Sequence, residues 1–309
     1  MSENKQDKPN IIIILADDLG YSDLGCYGSE IQTPNIDSLG NDGIKFSQFY
    51  NQARCSPSRA SLMTGLTGHQ AGVGQLSGDL GAPGYRGFIN KECVTVAEVL
   101  KQENYDTYLS GKWHLGGSWD PREKDRWEAG TDNHPLPTQR GFDEFYGLMD
   151  AASSFFRPES LMDGDKFIDI DDPDYYFTDA MSDKACEMIS GSMKKNNPFF
   201  LYLSYTAPHW PLHAKPEEIA TAMPALSMII DEWHNSGNMI WSGPFDDNKT
   251  SMSVIEASQS EAEEFYAKYN NTAQQFLSTY MYKWDAMPFL SLIGNKVNEA
   301  TLQITPEQQ

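Results

Sequence analysis

Residues 11–15 (Ile11, Ile12, Ile13, Ile14, Leu15) form a short unbroken apolar run rich in β-branched side chains. Such a run predicts a strand covered on both faces, as in a parallel sheet. It stops at Asp17-Asp18-Leu19-Gly20. Thr33-Pro34-Asn35-Ile36-Asp37-Ser38-Leu39 predicts a short helix, with Thr33 as N-cap, Pro34 at the first position and Gly43 near the end. Residues 44–50 alternate and predict another strand. Residues 94–103 predict an amphipathic helix with Val96, Val99 and Leu100 on one face. Residues 105–110 predict a strand that runs into Gly111-Lys112-Trp113-His114-Leu115-Gly116. Residues 117–175 are rich in Asp, Pro and Gly and read as long loops. A helix over 179–193 and a strongly apolar strand over 198–205 follow, and that strand ends in Ala207-Pro208-His209-Trp210-Pro211.

Strands that alternate with helices predict an α/β fold, with a mostly parallel central sheet and helices on both faces. Ligands on such sheets bind beyond the carboxyl ends of the strands. Three predicted strands end there in ionisable residues: Asp17 with Asp18, Lys112 with His114, and His209. After about residue 222 the pattern weakens. Residues 223–260 lack a clean period, 261–282 read as helical, and the end is polar. The expected division is a well-patterned domain over 8–222 and a divergent, largely helical or irregular continuation over 223–309.

Composition removes several classes of function. Hydrophobic residues make up 39% of the 309, enough to bury a core, so wholesale disorder is excluded. The formal net charge of −21 repels phosphate backbones and anionic lipid, which argues against nucleic-acid and membrane-surface partners. Four cysteines without a C-x-x-C spacing make neither a disulfide scaffold nor a zinc ribbon. The N-terminal apolar run has neither the length of a membrane span nor the cleavage site of a signal peptide, so a cytoplasmic location is expected.

The segment richest in chemistry is Arg54-Cys55-Ser56-Pro57-Ser58-Arg59, followed by Thr64-Gly65. Pro57 suits a first helical turn and Gly65 a helix end, which puts Cys55 at a helix N-terminus. Exposed N–H groups and the helix dipole favour anions there and lower a thiol's pKa. Arg59, four residues on, shares that helical face. A lone cysteine is more often a buried structural residue, but here the whole C-x-P-x-R pattern has to be explained.

That pattern resembles the motif of type I sulfatases, formylglycine-dependent enzymes of the alkaline-phosphatase-like superfamily. Asp17-Asp18, Thr33-Pro34-Asn35-Ile36-Asp37, Gly111-Lys112-Trp113-His114-Leu115-Gly116 and Pro208-His209-Trp210-Pro211 follow the family's order and spacing over roughly residues 8–220. The resemblance implies hydrolysis of an aryl or carbohydrate sulfate ester. It implies a formylglycine made from Cys55 by a transiently bound formylglycine-generating enzyme. One hydroxyl of the aldehyde hydrate would attack sulfur and expel the alcohol, and loss of the other proton would eject sulfate. Asp17 and Asp18 would ligate Ca²⁺ or Mg²⁺, with residue 55 as a third ligand. Two adjacent carboxylates reach one ion only where the chain leaves strand geometry. Arg59 would hold the hydrate or a metal carboxylate, and Lys112 would bind sulfate. His114 would orient or deprotonate the hydrate. His209 would bind sulfate and protonate the leaving oxygen, a task suited to histidine near neutral pH.

The sequence departs from the family late. The family completes its metal site with an Asp-Asn pair in a Ser-Asp-Asn-Gly run, and no such run occurs here. Asp246-Asp247-Asn248 is the nearest string and reads as a polar loop. The expectation is a truncated or divergent member with weak metal affinity. The alternatives are a phosphate or phosphonate monoester hydrolase of the same superfamily and a catalytically impaired binding protein. His69, His134 and His234 lie in no matching motif and read as surface or core residues, while His213 stays open between that reading and a substrate contact, because the segment after Pro211 can approach substrate. Tyr85, Arg86, Trp119, Trp127 and Trp210 are candidates to line a pocket for a ring or sugar or to anchor loops, the loop role being the favoured one for Trp119 and Trp127.

Overall fold

The computed structural model describes residues 8–29, 31–76, 78–117, 129–217, 228–230, 232–233, 235–236, 239–244, 251–255 and 257–273. The chain divides into two compact units, Met1–Glu217 and Glu218–Gln309.

The first unit contains strands β1 (Ile11–Asp17), β2 (Asp106–Gly111), β3 (Glu144–Leu148), β4 (Leu161–Asp163), β5 (Lys166–Phe167) and β6 (Phe199–Pro208). Its helices are α1 (Pro34–Asp42), α2 (Cys55–Thr64), α3 (Val96–Gln102) and α4 (Phe177–Lys195). The strands form one sheet in the order β1-β6-β2-β3-β4-β5. The pairs β1–β6, β6–β2 and β2–β3 are parallel, and β4 and β5 add antiparallel at one edge. The fold is therefore the mixed α/β class that the pattern predicts.

Strand β6 lies between β1 and β2, and its alternation builds two cores. Phe200 and Tyr202 face a cluster with Ala60 and Met63 of α2, Ala97 of α3, and Trp113, Phe142 and Phe145. Phe199, Leu201 and Leu203 face the opposite cluster, with Phe177, Met181, Ala185 and Met188 of α4. Apolar residues on both faces of one strand require helices on both sides of the sheet. Helix α3 starts on a capping box in which the Thr95 hydroxyl accepts from the Glu98 N–H and the Glu98 carboxylate accepts from the Thr95 N–H.

Several expectations are corrected. Among the described strands β1 is at the sheet edge, and it buries one face only: Ile11, Ile13 and Leu15 pack on the core, while Ile12 and Ile14 are 47% and 56% exposed. Residues 44–50 form no strand; Ile44, Phe46, Phe49 and Tyr50 are exposed, so their alternation has no sheet to pair with. The loop-like stretch 117–175 contains β3, β4 and β5. Composition misled there, because β3 buries an aromatic-rich segment between glycine- and aspartate-rich turns. In α3 the buried residue is Ala97, and Val99 is half exposed.

The second unit holds a hairpin of β7 (Met239–Pro244) and β8 (Ser251–Ile255), then helix α5 (Gln259–Ala273). Ile229 and Phe265 form a small core there with Ile230, Trp233 and Tyr269. Asp246-Asp247-Asn248, Trp119, Trp127 and His234 lie outside the described residues. No helix among the described residues is long and apolar enough to cross a membrane.

Candidate active site

The parallel register brings the three ionisable strand ends together. Asp17, the last residue of β1, pairs with Pro208 at the end of β6, so His209 follows directly beside it. At the other flank of β6, Gly111 pairs with Ser204, and the Lys112 N–H donates to the Ser204 carbonyl at 2.8 Å. Gly111 has φ 118°, and a Cβ there would lie 2.0 Å from the Ser204 carbonyl oxygen. Only glycine lets β2 pass β6 this closely before the chain turns into Lys112.

Asp18 and His114 are non-glycine residues in left-handed conformation, with φ 64° and 53°. Such geometry costs about 1–3 kcal/mol and concentrates at functional sites. At Asp18 it takes the chain out of strand geometry, so the two adjacent carboxylates need not point to opposite faces.

Cys55 is the first residue of α2, and Gly65 closes that helix in left-handed conformation. Ala60 and Met63 anchor α2 in the core, so its N-terminus is held at the strand ends. Arg59 is 1% exposed rather than a surface residue. It donates to the Lys112 carbonyl at 3.0 Å, to the Tyr202 hydroxyl at 3.3 Å and to Ser204 Oγ. Its second terminal nitrogen makes an ion pair with Asp17 Oδ1 at 3.1 Å. Lys112 is fully buried, and its Nζ donates to Asp17 Oδ2 at 2.5 Å. Asp17 thus sits between two buried cations. Burial would raise its pKa, but Arg59 and Lys112 together hold the carboxyl below the usual range. Burial and the neighbouring Arg59 lower the pKa of Lys112, against the pull of Asp17.

The donor atoms of Asp17, Cys55 and His209 lie within 4.8 Å of one another. Asp18 joins them: its Oδ1 is 4.0 Å from the Cys55 sulfur and its Oδ2 is 3.6 Å from His209 Nε2. His209 Nδ1 lies 2.5 Å from the Trp210 carbonyl. A carbonyl only accepts, so Nδ1 carries a proton and Nε2 is the atom that faces Asp18. His114 is 2% exposed, and neither ring nitrogen has a hydrogen-bond partner among the described residues. Burial and the charges of Lys112 and Arg59 push its pKa well below 6.5, so it is neutral and can accept a proton or hydrogen bond.

One expectation reverses here. The Cys55 thiol pKa is raised, not lowered: burial, Asp17 and Asp18 outweigh Lys112 and Arg59. Burial of the sulfur is the largest of these influences, and it disfavours the thiolate. His213 is turned away from chemistry, since its Nδ1 accepts from the Phe155 N–H and its ring packs on Phe155 and Phe156. Sequence reading missed Tyr202 and Ser204, which hold Arg59. The polar positions Tyr202, Ser204 and Thr206, two apart in an apolar strand, carried that signal.

The Sulfatase family profile matches residues 9–287. An uncharacterized sulfatase of Schizosaccharomyces pombe is 33% identical over 245 residues, which cover 71% of this chain and 42% of that protein. An arylsulfatase of Klebsiella aerogenes is 33% identical over 230 residues, covering 70% of this chain and 46% of that protein. Among solved structures, Ps i-CgsB in complex with k-i-k-neocarrahexaose is 34% identical with a TM-score of 0.56, covering 69% of this chain and 48% of that one. The chain thus spans a little under half the length of these relatives.

Proposed function

The chain belongs to the sulfatase family, and from that premise we propose that it hydrolyses a sulfate ester of an aryl or carbohydrate alcohol. The observation that carries this reading is the gathering of Asp17, Asp18, Arg59, Lys112 and His209 around Cys55, from three strand ends and one helix start. A monoanionic sulfate ester needs positive charge around its oxygens as the S–O bond breaks. Asp17 and Asp18 balance Arg59 and Lys112, so a bound divalent cation leaves the site with net positive charge for the ester.

Asp17 and Asp18 are hard oxygen donors that fit Ca²⁺ or Mg²⁺, and a residue 55 carrying oxygen in place of sulfur completes an oxygen face. When bound, the cation would polarise a sulfate oxygen, and a formylglycine at position 55 would supply a hydrated aldehyde as nucleophile. Arg59 pairs with Asp17 Oδ1 and keeps that carboxylate in one orientation. Lys112 spends one of its three donors on Asp17 and has two for sulfate oxygens. His114, held neutral, accepts a proton from the residue-55 hydroxyl. His209, protonated at Nε2, donates to the departing alcohol oxygen. Trp210 is 61% exposed and its ring stacks on His209 at 5.4 Å, which offers an apolar face to an aryl group or sugar ring. The carbohydrate option is supported by the oligosaccharide seen in Ps i-CgsB.

The test compares an aryl sulfate and a sulfated oligosaccharide as substrates for protein made in a host that converts Cys55 to formylglycine. Activity should fall to background in Cys55→Ala, and peptide mass spectrometry over residues 54–59 should show the aldehyde. Unchanged turnover in Cys55→Ala refutes the reading.

A further inference from the structure

We propose that the unconverted chain, with a thiol at position 55, holds a soft divalent cation of the zinc type through Cys55, His209, Asp17 and Asp18. This does not rest on sulfatase activity. It concerns the polypeptide before any modification of residue 55.

The geometry is close to what such an ion needs. With metal–ligand lengths near 2.0–2.3 Å, donors around a tetrahedral zinc stand roughly 3.3–3.8 Å apart. Here the sulfur stands 4.0 Å from Asp18 Oδ1, and His209 Nε2 stands 3.6 Å from Asp18 Oδ2. The donors of Asp17, Cys55 and His209 lie within 4.8 Å of one another. Closing the set takes side-chain shifts of about 1 Å, small against the span of one rotamer change.

The supporting contacts are those of a metal site. A ligating histidine donates its other ring N–H to a carbonyl or carboxylate, which frees the opposite nitrogen for the ion. His209 does this with Nδ1 on the Trp210 carbonyl, leaving Nε2 towards Asp18 and Cys55. Ligating carboxylates are themselves held by hydrogen bonds, and Asp17 is held by Lys112 and paired with Arg59. A carboxylate has about four lone-pair sites, so Asp17 can keep both cations and still ligate.

The donor chemistry selects the ion. Thiolate and imidazole favour zinc over calcium, which takes oxygen only. On binding, the S–H bond breaks, the thiol proton passes to solvent and the sulfur–metal bond forms, with no change of oxidation state. Conversion of Cys55 to formylglycine removes the sulfur and turns the same pocket into an oxygen-lined site. Position 55 therefore decides which class of metal the pocket accepts.

The experiment titrates Co²⁺, then Zn²⁺, into the metal-free full chain produced with Cys55 unconverted. One equivalent of Co²⁺ should give tetrahedral visible bands and a thiolate-to-cobalt charge-transfer band in the near ultraviolet. Zn²⁺ should abolish both, and excess Ca²⁺ should not. Cys55→Ala should lose the charge-transfer band and weaken Zn²⁺ binding roughly 100-fold, one ligand's share of a four-donor site. His209→Ala should weaken it comparably, whereas Cys186→Ala, at an exposed cysteine, should change nothing. X-ray absorption on the zinc-loaded wild type should show a single sulfur neighbour near 2.3 Å, a reading that needs no variant to fold. Absence of the charge-transfer band in wild type, its persistence in Cys55→Ala, or a zinc shell without sulfur overturns the proposal.

Discussion

Asp17→Asn removes the charge at the centre of the site while keeping the volume and one acceptor oxygen. Lys112 and Arg59, 0% and 1% exposed, then face each other without a counter-charge. Breaking a buried pair by removing one partner costs about 3–5 kcal/mol. Lysine has an escape that limits the loss, since it can give up its proton. At pH 7, neutralising a lysine of ordinary pKa 10.5 costs about 5 kcal/mol, at about 1.36 kcal/mol per pH unit. At pH 9 the same step costs about 2 kcal/mol. The sign follows from proton counting. In the variant the folded state binds fewer protons than the unfolded state below pH 10.5, so its stability rises with pH. In wild type Asp17 stays ionised over this range, because its folded-state pKa lies below its ordinary value, so Lys112 and Arg59 keep their counter-charge. For a unit of this size, about 2–4 °C per kcal/mol gives a Tm loss of about 6–20 °C at pH 7, where about 3–5 kcal/mol is lost, and about 4–8 °C at pH 9. Thermal unfolding of both proteins, followed by circular dichroism in EDTA to remove divalent ions, reads the difference directly. An equal Tm loss at the two pH values, or none, refutes the assignment of Asp17 as the carboxylate paired with both buried cations.

Gly111→Ala should cost about 3 kcal/mol or more, because its Cβ would meet the Ser204 carbonyl at 2.0 Å in a left-handed backbone; soluble expression and urea unfolding check this, and a wild-type midpoint argues against it. His114 is neutral when folded and protonates readily when unfolded below pH 6.5, so it removes stability as pH falls, by up to about 1.4 kcal/mol per unit. His114→Asn should flatten the stability slope between pH 6.5 and 5, measured by denaturant midpoints, and an identical slope in both proteins contradicts the buried neutral ring. For formylglycine-bearing protein, EDTA should abolish turnover. Calcium at 100 times its Kd should then add about 2.7 kcal/mol of stability, with a higher Tm, and no thermal response to calcium counts against Asp17 and Asp18 as ligands.

Much of this protein is legible from its residues alone. Apolar runs ending in Asp17, Lys112 and His209 announce a parallel sheet with chemistry at its carboxyl edge, because strand direction and side-chain period are local properties. The helix start after Thr33, the Gly65 cap and the helix start at Cys55 are equally local, although the Thr33 hydroxyl bonds Gly25 and Asp37 rather than capping the helix. Tertiary structure alone decided the rest. The edge position of β1 leaves Ile12 and Ile14 without cover, and residues 44–50 alternate without a neighbouring strand. Arg59 is buried rather than solvated because Tyr202 and Ser204, over 140 residues away in sequence, supply its acceptors. The direction of the Cys55 pKa also needed coordinates: burial, with Asp17 and Asp18, raises it against Lys112 and Arg59, and neither burial nor these neighbours can be read from a helix start. Periodicity reports how a segment can be buried; which charges share that burial depends on contacts between residues far apart in the chain, and electrostatic energies vary too steeply with distance and solvation to be read from order alone.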